Sequence, residues 1–324
     1  MRKFLSSGCL SLGLFLGFWL LSTNQTAFAK AGKPIKVGEV GPVRHWFLPE
    51  NTLHLQAPGP TNAMTKETFD SIIKQAMDRF CPIFESYGVI CDVTGDWEST
   101  IVNAYAMRGS GAWTIGLFGG LARRPELTND GFAVVVCHEI GHHISGFAFK
   151  AFVLGDSWAS TEGQADYFAA HACLPELWGA ERETNARYRN NVDPIVKRGC
   201  DAAWKTVERQ NLCYRIGAAI QSETRMIARA TGRGPDPRFE RPSAAVVSET
   251  YEAHPDPQCR MDTQLGGALC PLEFDFSRIP GEGLGESNRS LAAERDSTQT
   301  TCHQSMGYVL GVRPRCWFSP RSIQ

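Results

Sequence analysis

The sequence His-Glu-Ile-Gly-His at 138–142 combines two residue types that bind zinc with one that can act as a base. Positions i and i+4 lie on the same face of a helix, one turn apart, so His138 and His142 can point their imidazole rings at one metal ion. Glu139 lies about 100° further around the helix, where it can reach a water molecule at that metal. The spacing therefore predicts a catalytic zinc site, in which three protein ligands leave a fourth position for water.

The candidate third ligand is Glu162, and Asp166 follows it at i+4. One face of a helix would therefore present both carboxylates. We expect one zinc ion per chain, bound by His138, His142 and Glu162, with Asp166 accepting the other N–H of a ligand histidine. The alternative is that both carboxylates lie on a solvated helix surface, and the apolar residues that flank them argue against it.

The helix that carries the two histidines has recognisable ends. The apolar residues 132–136 lead into the motif, as is typical of a buried helix. Thr128, Asn129 and Asp130 are all residue types that cap a helix N-terminus. Gly146 is a residue type that ends helices. We expect the helix to lie between these signals.

The helix that carries the carboxylates is predicted in the same way. Ser160 or Thr161 would cap it, and Thr161 with Gln164 fits a capping box. The dipeptide Leu174-Pro175 is expected to end it.

Around these two helices the pattern predicts an α+β fold that is mostly helical, with a small sheet above the helix of the histidines. The other predicted elements are a helix from Thr65 to near Pro82, strands at 101–107 and 113–117, and a helical stretch at 194–230. Residues 271–324 carry Cys302 and Cys316 and many Gly, Pro and Ser residues, so we expect a disulfide-pinned tail with little regular structure.

Residues 1–29 have the composition of a secretory signal peptide. Arg2 and Lys3 precede an apolar run at 10–21, and Ala27-Phe28-Ala29 is a small-x-small cleavage site. We expect a periplasmic or secreted bacterial protein with no stable membrane span after cleavage. If cleavage fails, the apolar run is an N-terminal anchor. Residues 30–63 are an N-terminal arm or a propeptide, and its His45 and His54 are interpreted as ordinary surface or packed histidines.

Charge and cysteine content narrow the class of protein. Without Arg2 and Lys3, 31 basic residues face 34 acidic residues, a net charge of −3, so nucleic acid and anionic membranes are not expected partners. Ten cysteines remain after Cys9 leaves with the signal peptide, and an even number in an exported chain favours disulfides. Four neighbour pairs are predicted, and Cys137 and Cys173 either clamp the two zinc-ligand helices together or are small buried hydrophobes. The neighbour pairs are 81–91, 200–213, 259–270 and 302–316.

Three segments together resemble the M48 family of gluzincin metallopeptidases, over roughly residues 66–265. They are Val102-Asn103-Ala104-Tyr105-Ala106 with a glycine turn, the strand at 113–117 and Gly119-Gly120; His138 to His142 with Glu162-Gly163-Gln164-Ala165-Asp166; and His254-Pro255-Asp256-Pro257-Gln258-Cys259-Arg260.

This resemblance implies a gluzincin fold in residues 64–270 and a zinc metalloendopeptidase that acts on protein or peptide substrates. It makes His254 the candidate donor to the oxyanion of the reaction. Arg260 either assists His254 or holds its loop through a carboxylate such as Asp166 or Glu162. Zinc-bound water would lose its proton to Glu139.

Residues Trp113, Thr114, Ile115 and Gly116 are the candidate substrate-binding residues. Their strand is predicted to form a sheet edge above the cleft, to which an extended peptide adds through main-chain hydrogen bonds.

Two other functions remain open at this point. One is a zinc-stabilised binding or chaperone-like protein with little hydrolysis, although a purely structural zinc has no need of Glu139. The other is a zinc amidase that acts on a non-peptide substrate.

Overall fold

The computed structural model describes residues 43–54, 61–152 and 155–322. The predicted signal peptide and its cleavage site lie outside these residues. The described part of the chain is α+β. Its strands are β1 (Arg44–Trp46), β2 (Ile90–Asp96), β3 (Ala104–Gly109), β4 (Ala112–Phe118), β5 (Phe149–Phe152) and β6 (Gly155–Ser160).

The helices make up most of the regular structure. They are α1 (Lys66–Ser86), α2 (Gly119–Ala122), α3 (Asn129–Ile144), α4 (Glu162–Phe168), α5 (Leu174–Trp178), α6 (Arg182–Ala186), α7 (Pro194–Ala203), α8 (Val207–Thr231), α9 (Pro257–Ala268) and α10 (Leu291–Ser297), with a π-helical turn at Ala169–Cys173 and a 3₁₀ turn at Gln304–Met306.

A four-stranded sheet with the order β1-β3-β4-β2 lies beside α3. β3 and β4 form an antiparallel hairpin, β1 pairs antiparallel with β3, and β2 pairs parallel with β4. The prediction that residues 113–117 form a sheet edge is wrong, because β2 pairs with β4 along its whole length. The edges of this sheet are β1 and β2, and β5 with β6 forms a separate antiparallel hairpin.

The core is built around α3, which is buried on every side from Gly131 to Ile144. It packs against α1, α4, α8 and the sheet. Phe132 of α3 stacks on Phe69 of α1, with 5.0 Å between ring centroids. Full burial of each such side chain contributes about 1.5–3 kcal/mol. The N-terminal arm and the tail belong to the same core, because Phe47, Leu48 and Trp317 are fully buried in it.

Helix α1 does not end near Pro82 as predicted but continues to Ser86. Proline in a helix interior removes one backbone hydrogen bond and strains the preceding turn. The next residues, Ile83 and Phe84, are buried in the core, and their burial offsets this cost.

The other predicted helices also differ at their ends. Leu174-Pro175 does not end the α4 segment, because the chain passes through the π-helical turn into α5, where proline lies in the first turn and needs no N–H partner. The stretch 194–230 is two helices, α7 and α8. Thr206 caps α8 by accepting a hydrogen bond from the Arg209 N–H.

Five disulfides cross-link the described residues. Cys81–Cys91 and Cys200–Cys213 are the predicted neighbour pairs, and Cys137–Cys173 joins α3 to the π-helical turn. The predicted pairs 259–270 and 302–316 are wrong, because the bridges are Cys259–Cys316 and Cys270–Cys302. The tail folds back along α9, so tertiary packing and not sequence separation selects the partners. Five bridges indicate an oxidising environment.

Candidate metal centre

Helix α3 places His138 and His142 one turn apart and Glu139 beside them, all fully buried. The helix begins as its sequence predicts, because the Thr128 hydroxyl accepts a hydrogen bond from the Gly131 N–H at 3.0 Å. Glu162 is the first residue of α4 and is also fully buried. We call His138, Glu139, His142 and Glu162 the metal cluster.

Helices α3 and α4 come close enough for their side chains to share one ion. A Cβ atom on Gly141 would lie 3.0 Å from the Cα of Ala165, so glycine permits this approach. Thr161 caps α4 by accepting from the Gln164 N–H. The full capping box is not formed, because the Thr161 N–H donates to the Ala148 carbonyl at 2.8 Å and the Gln164 side-chain oxygen accepts from Arg313 at 3.1 Å instead.

One atom from each of His138, His142 and Glu162 faces the same point, and these three atoms lie within 4.8 Å of one another. His138 Nε2 is 3.2 Å from Glu162 Oε2, and His142 Nε2 is 3.6 Å from Glu162 Oε1. Two imidazoles and a carboxylate are a donor set that transition metals such as zinc accept. The three residues could hold a metal ion.

The polar atoms at this point fit a cation. The Nε2 atoms of His138 and His142 and the Oε2 atom of Glu162 are buried, and none has a hydrogen-bond partner within the described part of the chain. Buried polar atoms almost always have a partner, because leaving one unpaired costs about 1–3 kcal/mol. A metal ion would satisfy all three atoms.

Both histidines are fixed by a hydrogen bond from the opposite ring nitrogen. His142 Nδ1 is 2.9 Å from the Ser160 carbonyl oxygen, which can only accept, so Nδ1 carries the proton. His138 Nδ1 is 2.8 Å from Asp166 Oδ1 and donates to it. Both Nε2 atoms are thereby directed at the metal position, which is how neighbouring groups orient metal-binding histidines.

Behind His138 lies a second set of buried polar side chains, which we call the arginine cluster: Asp166, Glu223, Arg260 and Gln264. The Arg260 guanidinium donates to both oxygens of Asp166, at 2.8 and 2.6 Å. Gln264 Nε2 donates to Asp166 and to Glu223, each at 3.2 Å. Burial raises the pKa of Asp166, but the charges and hydrogen bonds of Arg260 and His138 together outweigh burial and lower it. Arg260 therefore holds a carboxylate, the second of its two expected roles.

Glu139 stands apart from these networks. Both of its carboxylate oxygens are buried and have no hydrogen-bond partner among residues 43–54, 61–152 and 155–322. Burial raises the pKa of Glu139 to about 8, and the charge of His138 lowers this pKa by less than burial raises it. A carboxyl group with a pKa near neutrality can both accept and return a proton.

Lys150, on β5, is a residue that the sequence analysis missed. Its Nζ atom is 2.6 Å from Glu162 Oε1 and 3.1 Å from His45 Nδ1. Burial alone would raise the pKa of Glu162, but the charge of Lys150 and the nearby histidines keep it well below its usual value. His45 is a packed histidine, one of the two expected alternatives, and its ring centroid lies 5.7 Å from that of His142. No local pattern marked either residue, since strand pairing brings both to the site.

His254 lies at the rim of the metal cluster. Its Nε2 atom donates to the Trp46 carbonyl at 2.7 Å and is 3.5 Å from Glu162 Oε2. Burial lowers the pKa of His254, which favours the neutral ring.

The four candidate substrate-binding residues lie within the sheet. Trp113 stacks on His143, with centroids 5.4 Å apart, and His143 stacks in turn on Trp158 at 5.0 Å. Thr114, Ile115 and Gly116 are buried between β3 and β2. β4 lies beside α3, and neither of its edges is free to pair with a peptide.

Comparison with known proteins adds no relative: the chain matches no family model, no curated protein and no solved structure. Within the described ranges, no helix is long and apolar enough to cross a membrane. A functional assignment therefore depends on the geometry of the site itself.

Proposed function

We propose that this chain is an exported zinc metalloendopeptidase that hydrolyses peptide bonds in protein or peptide substrates. The observation that carries the proposal is Glu139, a fully buried carboxyl group without a hydrogen-bond partner in the described residues, placed beside two unpaired imidazole nitrogens. A metal that served only the fold would need no such group. The resemblance of three sequence segments to gluzincin peptidases supports the same conclusion.

In this proposal His138, His142 and Glu162 hold one zinc ion. When bound, zinc lowers the pKa of a water molecule and polarises the carbonyl of the scissile bond. Glu139 would accept the proton of that water and pass it to the leaving amine, and the burial that raises its pKa in the metal-free chain makes its carboxylate a stronger base. Asp166 keeps His138 in the required tautomer, and Arg260 holds Asp166.

His254 supplies an N–H group at the rim of the site. The Nε2–H group, which now donates to the Trp46 carbonyl, can donate a hydrogen bond to the oxyanion that forms on the substrate. Donors of this kind stabilise developing charge most when they are held in place before the reaction.

A binding protein with a structural zinc is the second candidate. The observation that favours it is the complete burial of all four side chains of the metal cluster. Glu139 favours the peptidase instead. A zinc amidase for a non-peptide substrate would share the same residues and would differ in failing to cut internal peptide bonds.

The test compares the oxidised, zinc-loaded chain that begins at Lys30 with its Glu139→Gln variant, using a quenched-peptide library. We expect slow cleavage by the wild type and a loss of about 10²–10⁴-fold in the variant, because general base catalysis has this size. Zinc content is measured in both samples. Glu294→Gln is the matched control, since Glu294 is also buried but pairs with Arg321 in the tail.

Zinc in both proteins with cleavage only where Glu139 is intact supports the peptidase. Zinc in both proteins and equal cleavage would show that Glu139 is not the base. If the folded wild type bound no zinc, the assignment of the metal site would be wrong.

A further inference from the structure

We propose that β1 occupies the place of an extended peptide substrate and keeps the site latent. The inference rests on the proposed function. It concerns Arg44, His45 and Trp46, with Phe47 directly after them, in the N-terminal arm.

The first observation is the position of β1 in the sheet. β4 occupies one edge of β3, and β1 pairs antiparallel along the other, with His45 opposite Ala106 and Trp46 opposite Tyr105. The Phe47 N–H continues the ladder by donating to the Ala104 carbonyl at 2.9 Å. A peptide that adds to a sheet edge uses the same main-chain hydrogen bonds. β1 therefore takes up the edge that a substrate would need.

The second observation is what the backbone of this segment meets. The Trp46 carbonyl accepts from His254 Nε2, and the Phe47 carbonyl accepts from Arg260 Nη1 at 3.0 Å. His254 is the proposed oxyanion donor. The Trp46 carbonyl therefore accepts a hydrogen bond from the same donor, His254, that a substrate carbonyl would use.

The third observation is that His45 and its neighbours close the site. His45 Nδ1 lies 3.1 Å from Lys150 Nζ, the group that also contacts Glu162. The His45 ring packs edge-on against Trp158, with 4.9 Å between centroids. Phe47 packs edge-on against His138 at 5.1 Å. Because the whole metal cluster is buried behind these groups, a scissile bond reaches Glu139 only when β1 moves.

The side chains that hold β1 differ in how firmly they are buried. Phe47 and Leu48 are fully buried and belong to the core. Trp46 packs on Tyr105 at 5.4 Å, and the exposed Arg44 guanidinium lies 4.8 Å above the same ring. Substitution at positions 44–46 therefore weakens the strand and leaves its core anchor intact.

The test uses the full mature chain, zinc-loaded, with the double substitution His45→Ala and Trp46→Ala. We expect kcat/KM for a quenched peptide to rise about tenfold, because the fraction of molecules with an open edge rises. Arg44→Ala removes only an exposed contact, gives a smaller increase and serves as a second variant if the double variant folds poorly. His54→Ala is the matched control in the same segment: its Nδ1 bonds to Thr100 Oγ1 at 2.8 Å, and it should leave the rate unchanged.

A binding measurement separates this inference from the proposed function. In Glu139→Gln protein, the probe is a fluorescent synthetic peptide with the sequence of residues 43–50. We expect the double variant to bind it about tenfold more tightly than the chain with β1 intact. Tighter binding by the double variant, with no cleavage by any variant, would support the inference that β1 occupies the peptide position. It would reject the proposal that the chain is a peptidase. Unchanged binding in well-folded double and Arg44→Ala variants would overturn the inference, as would a wild type that cleaves as fast as they do.

Discussion

The metal cluster and the arginine cluster lie side by side, and they differ in how their buried polar and charged atoms are paired. In the arginine cluster both oxygens of Asp166 are paired, and Arg260 balances its charge. In the metal cluster the histidine Nε2 atoms and both oxygens of Glu139 are unpaired within the described residues. Glu223 Oε1 and Gln264 Oε1 also lack a hydrogen-bond partner among the described residues, so the arginine cluster is not fully paired. The difference lies in the charge: an arginine of the chain itself balances Asp166, whereas the metal cluster could hold a cation that comes from outside the chain.

The largest expected effect is the loss of the arginine that balances Asp166. Arg260→Met removes the cation and leaves the buried Asp166 carboxylate with hydrogen bonds from His138 and Gln264 only, so the free energy of unfolding of the metal-free protein should fall by about 3–5 kcal/mol. Urea denaturation measures the change. Arg313→Met is the matched control. Arg313 is equally buried, but its hydrogen bonds go to the uncharged oxygens of Phe147, Gln164 and Ser297, so its loss should cost less. Equal losses of unfolding free energy in the two variants would show that pairing with the Asp166 carboxylate makes no difference.

Zinc itself should act on the metal cluster alone. At a free concentration one hundred times Kd, it should raise the free energy of unfolding by about 2.7 kcal/mol, because it binds the folded state. Thermal denaturation with and without zinc measures this. His142→Ala removes a ligand and should abolish the increase. A variant that is stabilised by zinc as much as the wild type would place the metal elsewhere.

The link between the two clusters is Asp166. Asp166→Asn weakens the hydrogen bond that orients His138, and zinc Kd should rise about 10–100-fold, as for other partners of metal-binding histidines. Competition with a chelator gives the two values. Asp130→Asn is the control, because Asp130 also accepts from an arginine, Arg215, away from the metal. A loss of zinc affinity in Asp130→Asn but not in Asp166→Asn would contradict the proposed role of Asp166.

The smallest expected effect is a pH dependence within the arginine cluster. Burial raises the pKa of Glu223 from 4.5 to about 7, so between these values the folded state binds more protons than the unfolded state. The free energy of unfolding of metal-free protein should therefore fall as pH rises through this window. Glu139, whose pKa is raised to about 8, contributes to the same decline, so Glu223→Gln should show a shallower decline than wild type and be the more stable of the two at pH 8. Parallel pH profiles for the two proteins would show that Glu223 does not titrate there.

The part of the site that the sequence predicts is the part that local geometry determines. His138 and His142 share a helix face because of their spacing, and the Thr128 cap follows from its own hydroxyl. Asp166 and Arg260 meet across 94 positions, and only the resemblance to a family suggested that they might.

The rest of the site depends on tertiary packing. Lys150 and His45 reach the metal cluster through strands whose partners no local pattern specifies. The edge prediction for residues 113–117 failed for the same reason, since β2, which was not predicted, covers that edge. The last four cysteines pair across the fold of the tail and not along the chain.

The bridge between Cys259 and Cys316 joins the start of α9 to the tail. During synthesis the N-terminal parts of a protein emerge and fold first. Arg260, which follows Cys259 directly, therefore belongs to a helix whose disulfide can form only after Cys316, 57 residues further along, has been made. A chain cut short before Cys316 would contain His138, His142 and Glu162 and still lack the disulfide beside Arg260, the arginine that pairs with Asp166.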